Sequence, residues 1–404
     1  MKLLIFLFIF IMYSVQPIYA QSQAFRMSTF LAYHSENILG LKNNLSSSDE
    51  GISKFNIKYN IANLESQLAL NYDGYNKFTL DGTYLQYTAG IATYGVGAVD
   101  RHWSFSKNTS LILSHNARPS KAIYLKLEDR FEYDWLPSKA NWSLEMFNGF
   151  TEGSLRNNQS MLLGVRAILS PIAGLDFELI QTSQWGGKDY NNGISSLGAA
   201  LFFETNDSSN ANINKMAGFG ISYLIPSIKM PLRIYGQTIG EDEAGNLPSC
   251  FSYLAGLEWT NAKIMYPTIL NIEAIDTRID TTRNGNCGPH TMYNNNIYKY
   301  INYGKTMGTA IDTEGTSLEL NVLSKISKTL NIKFSTKSVT INDNNWSGHR
   351  LSSKRQSGLM NSLGISWIKD NVILNGDIYN QGFNLNKAGI KTGYGVSFSS
   401  SIIF

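Results

Sequence analysis

Arg101, His102 and Trp103 stand side by side, and Asn116-Ala117-Arg118-Pro119 closes the same stretch, Gly97–Pro119. An aromatic ring beside guanidinium and amide groups suits sugar recognition, the ring stacking on C–H faces while Arg and Asn bind hydroxyls. A second assignment makes Trp103 a membrane-interface ring and Arg101 a lumen cation paired with a carboxylate. The residue types alone leave both open. Leu111-Ile112-Leu113 reads as a short apolar strand ahead of the Asn-Ala-Arg-Pro turn.

Glu241-Asp242-Glu243 sets three carboxylates in a row. Like charges this close need solvent, a cation or arginines. The stretch is therefore a solvated loop, a set of ion pairs to Arg101, Arg118 or Arg278, or a calcium site lacking its remaining oxygen ligands. Tyr293, Tyr298, Tyr300 and Tyr303 cluster with Asn294–Asn296, as an aromatic belt at a strand end or as a sugar-contacting surface. Ser114-His115-Asn116 holds residue types that hydrolases use, but neighbours on a strand point to opposite faces, so Ser114 and His115 would not share a hydrogen bond. The chain is expected not to be an enzyme, and no His or Cys pair shows metal-ligand spacing.

What positions these residues is a period of two. Tyr394, Val396, Phe398, Ile402 and the terminal Phe404 alternate with Gly395, Ser397, Ser399 and Ser401, giving one oily and one wettable face. About 9–11 residues suffice for a tilted strand to cross a bilayer. The pattern begins at Phe55-Asn56-Ile57-Lys58-Tyr59 and recurs at Leu64–Tyr72, Leu163–Leu169, Leu175–Gln181, Phe219–Ile225, Tyr253–Trp259, Ile269–Asp276, Leu330–Thr336, Leu363–Trp367 and Val372–Ile378. Alternation along most of the chain is what a barrel needs with lipid outside and water inside. At about 20 residues per strand and connection, the chain forms roughly 16–20 antiparallel strands, wide enough for an aqueous lumen. The polar connections Asn43–Gly51, Thr205–Lys215, Asp276–Asn296 and Asn342–Gln356 are candidate extracellular loops or inward folds.

The chain opens with Lys2, an apolar run Leu3–Tyr13 and Pro17-Ile18-Tyr19-Ala20, which has the form of a secretory signal peptide cut after Ala20. Residues 21–404 are then the barrel, with 21–54 a short polar lead-in and no full helical periplasmic domain. Charged residues make up 16% of the chain and the net charge is +3, so no nucleic-acid partner is implied. The two cysteines of this exported chain, Cys250 and Cys287, could form one bridge.

Ser110-Leu111-Ile112-Leu113-Ser114-His115-Asn116-Ala117-Arg118-Pro119 resembles the signature of the Wzi family of capsule-assembly outer-membrane proteins. Gln184-Trp185-Gly186-Gly187 follows in the same order. So do Tyr235-Gly236-Gln237 with Gly240-Glu241-Asp242-Glu243-Ala244-Gly245, then Glu273-Ala274 with Asp276-Thr277-Arg278, and Tyr293-Asn294 with Ile297-Tyr298. The resemblance implies an all-β transmembrane barrel of roughly 18 strands. It also implies a lectin-like role in holding capsular or other exopolysaccharide at the bacterial surface, with no cofactor. Arg101, Trp103, Asn116, Arg118, Gln184, Trp185, Glu241, Asp242, Glu243, Asp276 and Arg278 are then the expected lumen or rim residues. Trp103 and Trp185 would stack on sugars, the arginines would bind acidic or hydroxyl groups, and the carboxylates would brace the arginines. The expected partners are the glycan, outer-membrane lipid and the barrel-assembly machinery, with a monomeric barrel. The other function class in view is a general or substrate-selective porin.

Overall fold

The computed structural model describes residues 25–40, 51–72, 78–132, 140–155, 158–202, 212–225, 231–244, 247–261, 265–279 and 287–404. The signal-peptide assignment and its cut after Ala20 lie outside the described residues. So do most of Asn43–Gly51 and parts of the two connections after Thr205 and Asp276.

The first strands are β1 Phe25–His34, β2 Ile52–Ile61, β3 Leu64–Tyr72, β4 Phe78–Thr79, β5 Tyr84–Ala89, β6 Ala92–Gly97 and β7 Lys121–Phe131. Next come β8 Ala140–Leu155, β9 Asn158–Ile172, β10 Leu175–Trp185, the nine-residue helix α1 Ile194–Phe202, β11 Asn214–Ile225 and β12 Leu232–Ala244. The chain continues through β13 Leu247–Asn261, β14 Thr268–Asp276, β15 Ile301–Asn302, β16 Lys305–Thr306 and β17 Thr316–Lys325. It ends with β18 Leu330–Ile341, β19 Gln356–Lys369, β20 Val372–Gln381 and β21 Gly393–Ile403. β15 and β16 form a separate hairpin. The other strands pair antiparallel with their neighbours in sequence, and β1 pairs with β21 to shut the ring. β4 and β5 both pair with β3 and share one stave, so the closed barrel has 18 strands.

The first strand starts within the stretch expected to be a polar lead-in. Phe25–His34 carries Thr29 and Ser28 among its apolar residues, which blurs the alternation that becomes plain at Phe55.

Alternation sets the faces. Leu179, Phe219, Ile378, Val396 and Phe398 are exposed on the outer wall, whereas Ile180, Tyr379 and Gly395 are buried on the inner one. The wall admits its inner aromatics through glycines. Tyr124 lies over Gly95, Phe147 over Gly164, Tyr235 over Gly256 and Tyr379 over Gly395, each ring filling the space where the glycine's Cβ would stand. Each ring and glycine are cross-strand register partners.

Among the described residues, the inside holds packed protein rather than open water. Trp103, Leu111, Ile112 and Leu113 from the β6–β7 connection pack with Met292, Tyr293, Tyr300, Met307 and Ile311 from the β14–β17 connection. Inner-wall residues Phe147, Leu162, Ile180, Ile239 and Leu254 surround them. Alternation reports only that a face avoids lipid. It cannot distinguish water from protein on the other side.

The longest connections leave the sheet at one end. The connections after His34, Gly97, Trp185, Asp276, Ile341 and Gln381 start there, while the opposite end carries turns such as Ala62-Asn63, Ala173-Gly174 and Asp370-Asn371.

Candidate functional site

The signature stretch 98–120 is no strand. It leaves β6, folds into the lumen as irregular chain and returns to β7. Irregular backbone inside a barrel needs partners for its polar groups, and the inner wall supplies them. Gln237 accepts from Leu111 N at 2.8 Å and donates to Trp103 O at 2.7 Å and to Glu178 Oε1 at 3.0 Å. Ser106 Oγ donates to Glu273, which also accepts from Tyr235 Oη at 2.8 Å. Lys107 Nζ reaches Glu258 at 3.0 Å.

Arg101 and Trp103 converge on one carboxylate. Arg101 Nε donates to Glu145 Oε1 at 2.9 Å, and Trp103 Nε1 to Oε2 at 3.3 Å. The guanidinium also lies 4.2 Å from the Phe147 ring centre. Trp103 is 1% exposed and meets Phe147 edge-on, so neither face of its ring is open to a sugar. Arg118 makes a two-point pair with Asp81, at 2.7 and 3.0 Å, and its guanidinium lies 3.9 Å from the centre of the Tyr303 ring. Asn116 Nδ2 donates to Thr306 O at 2.8 Å, joining the two inward segments. Ser114 Oγ donates to Gly308 O, while His115 bonds Asp100 at 2.8 Å and stacks on His102. The serine and histidine are thus separated by their own partners rather than by strand geometry. Burial pushes the His102 imidazole below its ordinary pKa. Around these groups, on the short-turn side of the inward fold, is a cavity of about 330 Å³ whose lining includes Asp100, His102, Glu145, Lys126 and Arg166.

The tyrosines are neither belt nor open surface. Tyr293, Tyr298 and Tyr300 are fully buried, and Tyr293 stacks on Tyr300 at 5.8 Å. Their hydroxyls end on Leu111 O at 2.6 Å, Gly186 O at 2.9 Å and Thr182 Oγ1 at 2.9 Å. Only Tyr303, at the tip of the β15–β16 hairpin, is exposed. Gln184 is also enclosed, donating to Lys299 O at 2.9 Å and accepting from Asn214 at 3.1 Å. Cys250 on β13 and Cys287 at the foot of the second inward segment are bonded, with Cα atoms 5.8 Å apart.

Trp185 occupies a different surface from the one expected. It shares the outer face of β10 with Leu179 and Phe177, and α1 covers it to 3% exposure. Its Nε1 donates to Asn148 Oδ1 at 3.3 Å, also on the outer wall. It cannot meet a ligand in the lumen.

The acidic run belongs to β12, where the backbones of Asp242 and Glu243 pair with Ser249 and Pro248. Glu241 is buried and accepts from Tyr293 N at 3.1 Å. The arginines it was expected to brace hold other acids: Glu145 for Arg101, Asp81 for Arg118, Asp276 and Asp343 for Arg278. Among the described residues no cluster of His, Cys, Asp and Glu could hold a metal.

Of the expected residues, Asp276 and Arg278 reach the open long-loop end. Arg278 donates to both Asp276 oxygens, at 3.0 and 2.7 Å, and to Asp343 at 3.2 Å, which raises its pKa further. Arg355 reaches the other Asp343 oxygen at 2.9 Å. Asn344 and Asn345 stand exposed beside them, and Trp346 stacks on His290 at 4.5 Å. Chain order gave no sign of this group, because it joins 276–278 to 343–355 across two strands. Glu145 was equally unremarked, while Gln237 and Glu273 stood within motif stretches without an assigned role. Their signal is a polar residue on the inward face of a strand whose inward neighbours are small or apolar.

A family model described as capsule assembly protein Wzi matches residues 13–381. Over 207 residues the chain is 26% identical to an uncharacterized 55.8 kDa protein in the cps region of Klebsiella pneumoniae. That match takes in 50% of this chain and 41% of that protein, less than half the relative's length. Among solved structures, the fold superposes on Escherichia coli Wzi, described as an outer membrane protein involved in group 1 capsule assembly and a carbohydrate-binding β-barrel. The TM-score is 0.77 at 22% identity, over 95% of this chain and 86% of that one. Pseudomonas aeruginosa OccD3 follows at TM-score 0.53 and 11% identity, covering 95% of this chain and 91% of that one. At these identities the likeness is one of fold.

Proposed function

The chain belongs to the Wzi capsule-assembly family, and on that premise we propose that it is an outer-membrane barrel that binds capsular or other exopolysaccharide and helps hold it at the cell surface. Outer-membrane barrels carry short turns in the periplasm and longer loops outside, which sets the long-loop end outward. The observation that carries the reading is the filled lumen. A core containing Trp103, Leu111, Ile112, Tyr293 and Tyr300 occupies the space a porin keeps for water. The contact surface then falls on the outward end, where Arg278 and Arg355 stand with Asn344 and Asn345, suited to carboxylates and hydroxyls of an acidic glycan. No catalytic step is part of this proposal. Export with loss of residues 1–20, insertion by the barrel-assembly machinery and a monomeric state are.

The test is co-sedimentation of proteoliposomes with purified capsular polysaccharide. Binding should occur with the native barrel and fall at least several-fold in the Arg278→Ala, Arg355→Ala double variant. Unchanged binding would remove the site assignment. No binding by the native barrel, together with a large stable conductance in planar bilayers, would overturn the reading in favour of a porin.

A further inference from the structure

Helix α1 lies on the outside of the barrel. Its buried residues Ala199 and Ala200 pack with Trp185 and Leu163, which share their strands' outward faces with Leu179 and Met161. The helix, Ile-Ser-Ser-Leu-Gly-Ala-Ala-Leu-Phe, carries no charge. At 100° per residue, the side opposite Ala199 and Ala200 is centred on Ile194 and Gly198 with Phe202 toward its edge, while Leu197 and Leu201 pack partly buried against the Trp185 cluster. Ile194 is 90% exposed and Phe202 75%. A helix that is apolar on the covered and the uncovered side alike belongs in an apolar medium.

The polar atoms of this patch agree. Gln181 and Ser183 are hydrophilic residues on a wall face that elsewhere presents Phe177 and Leu179. Gln181 Nε2 donates to Ala200 O at 3.1 Å and Leu201 O at 3.3 Å, and Ser183 Oγ donates to Ala200 O at 2.7 Å. These are last-turn carbonyls, which no helical N–H can reach and which water ordinarily satisfies. In hydrocarbon they need protein donors. Lys215, on the same outer face, is buried as well.

We propose that α1 lies in the outer leaflet, with Ile194 and Phe202 against lipid hydrocarbon, extending the apolar wall over the polar rim of β9–β11. The occupant is lipid because this face continues the exposed apolar belt of Phe177, Leu179, Phe219 and Ile221 without a break in character. The inference requires the membrane placement but not glycan binding.

The experiment places a nitroxide on the full chain, with the Cys250–Cys287 bond intact, at Ile194→Cys or Phe202→Cys. Both positions are exposed enough to accept the label. Leu179→Cys marks the lipid-facing wall and Asn345→Cys the open loop. In phosphatidylcholine vesicles, collision with oxygen relative to a water-soluble nickel chelate should be several-fold higher at 194 and 202 than at 345, and should match 179. A water-like ratio at 194 and 202 with a lipid-like one at 179 would overturn the proposal alone. A water-like ratio at 179 would overturn the membrane placement with it. Spin–spin broadening at 194 that disappears on dilution with unlabelled protein would assign the face to a second copy instead.

Discussion

Tyr235 lies across Gly256, its register partner between β12 and β13, and the hydroxyl so placed donates to Glu273 on β14. Glu273 in turn holds Ser106 of the first inward segment. A wall glycine thus fixes a lumen contact on the next strand. Gly256→Val drives a branched side chain into the ring and should cost about 1–3 kcal/mol or more. The expected readout is a lower unfolding midpoint with faster proteolysis within 98–120. Gly236→Ala, whose added methyl meets Leu254 O at 3.4 Å, should change little.

Arg118→Ala leaves Asp81, whose side chain is 6% exposed, without its two-point partner. Losing one member of a pair this enclosed costs about 3–5 kcal/mol. Arg118→Lys keeps the charge but loses the fork and the guanidinium's contact with the Tyr303 ring, so it should recover less than half of the loss. Urea unfolding of the three proteins in one detergent checks the order.

The Cys250–Cys287 bond fastens the second inward segment to β13. Replacing both cysteines with alanine should lower stability by about 2–4 kcal/mol, mainly by freeing the unfolded chain. Reductant should reproduce the effect in the native protein and do nothing to the double variant.

The wall was legible in the sequence because lipid enforces a strict period of two, as at Tyr394, Val396 and Phe398. β1 was missed since Ser28 and Thr29 interrupt that period. The inward fold of 98–120 was not legible, because a stretch packed against protein on all sides obeys no period. Leu111-Ile112-Leu113 therefore read as a strand. Trp185 was expected as a sugar-stacking ring at the lumen or rim for want of one fact that sequence spacing does not carry: a helix from the following connection seals the outer face it occupies. Arginines braced by motif carboxylates were expected; Arg278 does hold Asp276, whereas Arg101 and Arg118 take Glu145 and Asp81 in place of Glu241–Glu243.

His349 is enclosed in the 342–355 connection, with Nε2 donating to Thr313 O at 3.0 Å and Nδ1 accepting from Leu351 N at 3.1 Å. That pattern requires the neutral ring, and burial holds its pKa below the ordinary 6.5. The folded state therefore binds fewer protons than the unfolded chain as pH drops below about 6.5, and stability falls by up to about 1.4 kcal/mol per pH unit until the native group titrates. Exchange at the Leu351 amide should quicken between pH 7 and 5 relative to its intrinsic rate. The wild-type curve minus that of His349→Gln isolates this term from the buried Glu314 carboxyl, whose raised pKa acts in the opposite direction.

The two segments that meet at Asn116 and Thr306 change what kind of object the cylinder is. Among the described residues, two inward segments pack across its bore, making it a stoppered tube rather than an open pipe. On the function proposed above, a polymer arriving from outside would be moored on the upper rim, as a rope is on a bollard, rather than drawn through. Pull on such a polymer would be borne by the tethers that seat Asp276, Arg278 and Asp343 above the strands, and through them by the bilayer that grips the wall.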